Sequence, residues 1–237
     1  DNQQQFETAS CKSLKIDDQL TLLKGVYNRI VKQFTDKPLS FKLSTYVDAP
    51  PGSGLGSSST LVVAILGAFV EWLKLPLGEY DLAHLAYQIE RVDLDMAGGK
   101  QDQYAAAFGG FNFMEFYKDD NVIVNPLRVN TNHINELEHN LLLYYNHTSR
   151  ISSEIIAAQV INVKKKEEKS LEATHKLKEQ AILMKEAILK GKLDEIGKIL
   201  DFGWQNKKQI ADKITNPEID KIYTKALNAG ATDRKST

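Results

Sequence analysis

The stretch that decides the fold is PPGSGLGSSST at residues 50–60. Its glycines alternate with other residues, which lets the backbone bend and lets a ligand approach the backbone N–H groups closely. An apolar run, Leu61–Val70, follows directly and predicts a buried helix over about residues 58–73. A loop that leads into a helix N-terminus favours a bound anion, because the first N–H groups of a helix have no partner within it.

The loop is chemically suited to a polyphosphate. Its serines add hydroxyl donors, and a serine oxygen can also ligate Mg²⁺. It is not a P-loop, because no lysine follows the last glycine, Gly56. It is also a poor dinucleotide fingerprint, since its third glycine comes too early and Glu71 lies inside the helical pattern rather than at a strand end. A plain glycine-rich connector with a well-capped helix is the open alternative.

The segment before the loop predicts a strand. Apolar and polar residues alternate over residues 41–48, and the pattern stops at Pro50, since proline has no N–H for a β-ladder. The first half of the chain is therefore expected to alternate strands and helices. Beyond the first helix, we expect three more elements: a helix over about 79–92, a short helix opened by residues 96–104, and a hairpin around residues 118–121.

The pattern of predicted elements differs in the second half of the chain. The change comes near residues 126–140, which is the best candidate domain boundary. A strand is predicted at Leu141–Tyr145, and almost everything after it has helical periodicity. One helix is expected to begin near Arg150. Three more are expected over about residues 171–188, 193–210 and 217–227.

Two carboxylates follow the loop at a suggestive spacing. Glu90 comes near the end of one predicted helix and Asp102 at the start of the next, with Gly98 and Gly99 allowing a sharp return between them. Phosphoryl transfer needs a carboxylate that ligates Mg²⁺ and another that handles a hydroxyl proton. Lys100 would add positive charge near the transferred group. Spacing alone leaves open that Glu90 is a surface charge and Asp102 a helix cap.

Composition narrows the class of protein. The 237 residues are 42% hydrophobic, which supports a core and excludes wholesale disorder. Thirty Lys and Arg residues nearly balance 31 Asp and Glu, which argues against nucleic acid or a membrane surface as partner. No apolar run is long enough to span a bilayer. The single cysteine, Cys11, cannot form an internal disulfide, so we expect a reducing, cytoplasmic location.

These motifs resemble a known family. Residues 50–59 resemble the second signature motif of the GHMP kinases, although Thr60 stands where members usually carry alanine. Three further stretches resemble the branch of bacterial D-glycero-D-manno-heptose 7-phosphate kinases: Leu22–Arg29, Glu90–Gly110 and Tyr144–Arg150. Kinases of the L-fucokinase type share part of this pattern.

The resemblance implies an α+β fold with the two domains of a GHMP kinase. Residues 1–127 would form the N-terminal ATP-binding domain, similar to domain 2 of ribosomal protein S5. Residues 128–237 would form a helix-rich, ferredoxin-like C-terminal domain. The family's first strands, its third motif and its final strand are not found in the sequence, so the resemblance implies a fold incomplete at both ends.

The resemblance also implies a function: ATP-dependent phosphorylation of the anomeric hydroxyl of D-glycero-D-manno-heptose 7-phosphate to the 1,7-bisphosphate. The partners would be ATP and a sugar phosphate, with no inference on oligomeric state. Two alternatives stay open. One is another sugar 1-kinase of the family, such as an L-fucokinase. The other is a non-catalytic nucleotide- or sugar-binding protein with a degenerate kinase fold.

The implied site combines the loop with both carboxylates. Asp102 would accept or orient the proton of the sugar hydroxyl, and Ser58 and Glu90 would ligate Mg²⁺. Lys100 as a catalytic helper is an inference from its charge and proximity. The ATP phosphates would be held by Pro51, Gly52, Ser53, Gly54, Leu55, Gly56, Ser57 and Ser58.

Overall fold

The computed structural model describes residues 4–49, 53–144, 156, 159–162, 168–211 and 214–232. The chain divides into two compact units, Asp1–Gly110 and Phe111–Thr237. The expected domain boundary after residue 127 stays a prediction. In the described ranges, no helix is both long enough and apolar enough to cross a membrane.

The first unit is built from helices around a single central one. Its elements are α1 (Thr21–Ile30), which continues as a π-helix (Val31–Thr35), α2 (Ser57–Leu73), α3 (Glu79–Gln88), which continues as a π-helix (Ile89–Asp93), and α4 (Gln101–Phe108). Helices α1, α3 and α4 all pack on α2. This arrangement follows from the apolar character of α2, which contributes five buried side chains to the core: Val62, Val63, Ile65, Leu66 and Phe69.

The predicted strand at residues 41–48 is wrong. Residues 39–47 form no regular secondary structure, and most of their side chains are exposed. The alternation of apolar and polar residues is real, but a strand also needs a neighbour for its ladder hydrogen bonds, and the described residues offer this segment none. The described part of the first unit therefore contains helices without the strands that the sequence pattern indicated.

The second unit contains the one sheet of the described residues. Strands β1 (Asn112–Phe116) and β2 (Val122–Pro126) pair antiparallel, with Met114 opposite Val124, which confirms the predicted hairpin. The remaining elements are α5 (Thr131–Asn140), α6 (Glu168–Leu189), α7 (Leu193–Lys207) and α8 (Pro217–Asn228).

Helices α6 to α8 correspond to the three helices predicted over residues 171–227. Helix α6 packs on α7, and the core of this region includes Ala173, Trp204, Ile214, Ile219 and Tyr223. The helix expected near Arg150 begins outside the described residues, although residues 159–162 are helical.

The second predicted strand is also wrong over the part that the structure describes. Leu141–Tyr144 has no regular secondary structure, and Leu142 is 91% exposed. Tyr145, the last residue of that prediction, lies outside the described residues. As with residues 41–48, the sequence indicated a strand for which the described residues supply no pairing partner.

Candidate active site

The glycine-serine loop meets the start of α2 at Gly56. Gly54 and Gly56 have φ angles of +76° and +71°, in the left-handed region that favours glycine. The first helical hydrogen bond is donated by the Thr60 N–H to the Gly56 carbonyl at 3.0 Å. The N–H groups of residues 57–59 precede that bond and lie at the positive end of the helix dipole, where an anion is favoured. Pro51 and Gly52 are also expected in this site from the family resemblance, but they lie outside the described residues.

Glu90 is fully buried directly beside this loop. It lies in the π-helix that follows α3, and its side chain is 0% exposed. The Ser58 hydroxyl donates to Glu90 Oε1 at 3.2 Å, and the Arg91 guanidinium lies 3.9 Å from the same oxygen. A buried carboxylate is costly without compensation. Among the described residues, the Arg91 guanidinium is the one cation paired with Glu90, and it is 3.9 Å away, so a further positive charge beside Glu90 would be favourable. Single π-helical turns are also frequent at functional sites.

The other carboxylate oxygen has two donors of its own. The Ser59 hydroxyl donates to Glu90 Oε2 at 2.7 Å, and the Gln103 amide donates to the same oxygen. The Gln103 amide also donates to the Ser59 hydroxyl at 3.1 Å. Gln103 and Ser59 are both buried, so the network is shielded from water.

Ser59 and Gln103 are not among the site residues expected from the sequence. A signal for Gln103 was present: on α4 it shares a face with Ala106 and Ala107, which pack against the apolar core. A polar residue on a core-facing stripe must be hydrogen-bonded inside the protein. Its partner, a glutamate thirteen positions earlier, could not be read from the sequence.

Asp102 lies next to the loop rather than next to Glu90's buried network. Its carboxyl is exposed in the first turn of α4. A Cβ atom built on Gly56 would lie 3.5 Å from Asp102 Cγ and 3.7 Å from Oδ2. The carboxyl therefore faces the turn that opens α2, which places Asp102, Gly56 and Ser58 at one corner of the first unit.

Arg91 orders the return between the two carboxylates. Its Nε donates to the Gly99 carbonyl at 3.2 Å, and its Nη1 donates to the Met96 carbonyl at 3.5 Å. A Cβ on Gly98 would lie only 2.5 Å from the guanidinium carbon, so a larger residue there would displace the Arg91 side chain from this position. Gly98, with its φ of +159° and its close contact with Arg91, is the glycine on which this return depends, whereas a Cβ on Gly99 would meet no atom within 4 Å.

Lys100 lies just before α4. Its ammonium group is 5.0 Å from the centre of the Tyr87 ring, within the range of a cation–π interaction. This contact holds the lysine close to α3 and two positions from Asp102. Its role as a catalytic helper stays a prediction.

The oxygen atoms beside the loop fit a magnesium ion. Mg²⁺ prefers hydroxyl and carboxylate oxygens at about 2.1 Å, and two neighbouring ligands of an octahedral ion then lie about 3 Å apart. Ser58 Oγ and Glu90 Oε1 are 3.2 Å apart. Over the described ranges, no three His, Cys, Asp or Glu side chains converge as in an all-protein metal site. A Mg²⁺ ion here would complete its shell with phosphate oxygens and water.

Comparison with known proteins identifies the family. The model of the GHMP kinase N-terminal domain matches residues 21–110, from the start of α1 to the glycines that end α4. The chain is 50% identical over 231 residues to the D-glycero-alpha-D-manno-heptose 7-phosphate kinase of Campylobacter jejuni. That alignment covers 98% of the chain and 68% of the relative.

Two further proteins support the assignment. The crystal structure of a D-glycero-D-manno-heptose 1-phosphate kinase from Bacteroides thetaiotaomicron matches with a TM-score of 0.78 and 47% identity, over 96% of this chain and 64% of that one. The L-fucokinase/L-fucose-1-P guanylyltransferase of Bacteroides fragilis is 28% identical over 81% of the chain and 20% of its own length. The chain thus spans about two thirds of the heptose kinases that it matches. It belongs to the GHMP kinase family, and its similarity groups it with the sugar kinases of that family.

Proposed function

We propose that this protein is an ATP-dependent sugar kinase that phosphorylates the anomeric hydroxyl of D-glycero-D-manno-heptose 7-phosphate and yields the 1,7-bisphosphate. The observation that carries the proposal is the arrangement at the start of α2. A buried glutamate is hydrogen-bonded to Ser58 of the phosphate loop, and Asp102 faces the same loop. The chain is also 50% identical, over 231 aligned residues, to a relative named as a heptose 7-phosphate kinase.

In the proposed mechanism, the loop binds the phosphates of ATP. The N–H groups of residues 57–59 donate to phosphate oxygens, and the positive φ of Gly54 and Gly56 lets the backbone approach them. Ser53, Leu55 and the remaining loop residues shape this cradle. Ser58 and Glu90 would hold Mg²⁺, which supplies positive charge that neutralises the phosphate oxygens.

Asp102 acts on the sugar. It orients the anomeric hydroxyl and accepts its proton as the hydroxyl oxygen bonds to the γ-phosphorus; the bond from that phosphorus to the β–γ bridging oxygen breaks, and ADP leaves. An anomeric hydroxyl is more acidic than an ordinary alcohol, so positioning and electrostatics account for most of the acceleration. Lys100 adds positive charge beside the transferred group. A cytoplasmic location, where ATP is available, stays part of the proposal.

A substrate panel tests the proposal. The full-length gene product is incubated with ATP, Mg²⁺ and either heptose 7-phosphate or L-fucose, and ³¹P NMR detects phosphate on the anomeric carbon. We expect a 1,7-bisphosphate from the heptose and little product from L-fucose, which lacks the 7-phosphate. Faster turnover of L-fucose than of the heptose would contradict the proposed substrate and support the L-fucokinase alternative. No phosphorylation of any sugar would favour a non-catalytic binding protein.

A further inference from the structure

We infer that Gln103, together with Ser59, is a positioning residue that fixes the Glu90 carboxylate in the orientation needed to hold the metal ion. This inference rests on the proposed function, since it concerns the same site. Within the loop region, Gln103 contacts the Ser59 hydroxyl from the buried side, and we assign it no contact with the phosphates. It acts through Glu90, which it contacts from the buried side.

The hydrogen bonds determine the orientation of the Gln103 amide. Both Glu90 oxygens are acceptors when the carboxyl is ionised, so the atom that faces Oε2 must be the amide nitrogen. That nitrogen has two protons, and it has two acceptors within reach: Glu90 Oε2 and Ser59 Oγ. The Ser59 hydroxyl then directs its own proton to Oε2. The three groups form a closed triangle with every donor direction assigned.

The triangle separates the two carboxylate oxygens. Oε2 accepts from Ser59 and Gln103, whereas among the described residues Oε1 accepts only from the half-buried Ser58, with Arg91 farther away. Rotation of the carboxylate would break both bonds to Oε2. The Glu90 side chain is therefore held with Oε1 toward the loop, 3.2 Å from Ser58 Oγ, as two ligands of one Mg²⁺ ion would be.

One part of this arrangement costs stability. Gln103 is 0% exposed, and its carbonyl Oε1 has no hydrogen-bond partner among the described residues. A buried acceptor without a partner costs free energy that an apolar residue of the same size would avoid. A residue that breaks this rule at a functional site is expected to be retained for what it does there.

Gln103 also connects the two halves of the site. It follows Asp102 directly on α4, so the helix that presents Asp102 to the loop also fixes the metal ligand. Any displacement of α4 would then move the proton acceptor and loosen Glu90 together. Outer partners of metal ligands commonly change metal affinity or activity by about 10- to 100-fold when they are removed.

The test measures metal affinity rather than turnover. The full-length protein is titrated with Mn²⁺ in the presence of a non-hydrolysable ATP analogue, and free Mn²⁺ is read by its EPR signal. Gln103→Met keeps the size of the side chain and removes both donors. We expect Mn²⁺ affinity to fall at least about tenfold. Gln33→Met, the same substitution at an exposed position of the first unit, should leave the affinity unchanged.

Ser59→Ala provides a second variant if Gln103→Met does not fold, and it should weaken Mn²⁺ binding in the same direction. Mn²⁺ affinity within about twofold of the parent in a folded variant would overturn the inference, even if the melting temperature fell. A parent protein that binds no Mn²⁺ would overturn it as well. Failure of the proposed function would give a different result: the parent binds Mn²⁺ and Gln103→Met weakens that binding, but no sugar is phosphorylated.

Discussion

At the scale of single residues, Asp102 is the side chain on which the chemistry most depends. Replacing it with asparagine keeps its size and removes the proton acceptor beside the loop. We expect kcat to fall by about 10²- to 10⁴-fold, the usual contribution of a positioned base. The affinity for nucleotide should stay within about twofold of the parent's, because the substitution leaves the phosphate-binding N–H groups of residues 57–59 unchanged. Steady-state kinetics and nucleotide titration measure the two effects separately.

Asp119→Asn is the matched control for Asp102→Asn, since Asp119 lies in the exposed turn of the β-hairpin. Its kcat should equal that of the parent. An Asp102→Asn variant with parental kcat would remove this residue from the mechanism.

Gly56 is the backbone residue that we expect to tolerate substitution least. Its φ of +71° disfavours any side chain with a Cβ, and a Cβ there would point at Asp102. Gly56→Ala should lower the free energy of unfolding by about 1–2 kcal/mol and weaken nucleotide binding. Gly67 lies in the middle of α2, and a Cβ there would have open space around it. Gly67→Ala should instead raise the free energy of unfolding by about 0.5–1 kcal/mol. Denaturant unfolding compares them, and equal effects would contradict the strained turn.

At the scale of elements, helices could be predicted from the sequence far better than strands. Helix α2 begins one residue before its expected start, because a helix depends on its own periodicity and on the glycine that precedes it. Residues 41–48 and 141–145 gave equally clear patterns, yet a strand depends on a partner elsewhere in the chain. Helices α1 and α5 were not predicted: the residues of α1 were noted only for their resemblance to the heptose kinases, and those of α5 fell in the stretch taken as a candidate domain boundary.

The candidate site shows the same division. The loop and the two carboxylates could be identified because their spacing is local and their chemistry is distinctive. The contacts of Ser59 and Gln103 with Glu90 could not, because they join α2, the π-helix and α4 across the core. Such contacts arise from helix packing, which a single sequence does not specify.

In the second unit, a hydrogen bond between α7 and α8 makes stability depend on pH. The Tyr223 hydroxyl donates to Asp201 at 2.6 Å, and this bond, with one from Gln205, lowers the pKa of the Asp201 carboxyl. A lowered pKa in the folded state contributes stability above the unfolded value near 3.8, and the contribution is lost as pH falls through the folded value.

Tyr223→Phe tests this linkage. It should lower the free energy of unfolding at pH 7 by about 1 kcal/mol, and the difference from the parent should shrink below about pH 4 as Asp201 is protonated. Tyr144→Phe, at a residue that is 68% exposed, should leave the pH profile unchanged. A difference that stays constant from pH 7 to pH 3 would show that Asp201 is not the linked group.

At the scale of the whole molecule, the loop, both carboxylates and Gln103 all belong to the first unit. Each unit also carries one of the two tryptophans: Trp72 near the end of α2, and the buried Trp204 in α7. Variants with a single tryptophan, Trp204→Phe or Trp72→Phe, therefore allow the unfolding of each unit to be followed by fluorescence.

A ligand that binds only the folded state stabilises it by mass action, by about 2.7 kcal/mol at a concentration 100 times its Kd. For a non-hydrolysable ATP analogue with Mg²⁺, we expect the transition reported by Trp72 to rise by about 5–10 °C, because Trp72 lies on the helix that would bind the phosphates. EDTA should remove most of this shift, and Glu90→Gln should remove the part that depends on metal. The shift should persist in Asp102→Asn, which keeps the phosphate loop and Glu90 intact. A Trp72 transition that does not respond to the analogue would place the nucleotide site somewhere other than the start of α2.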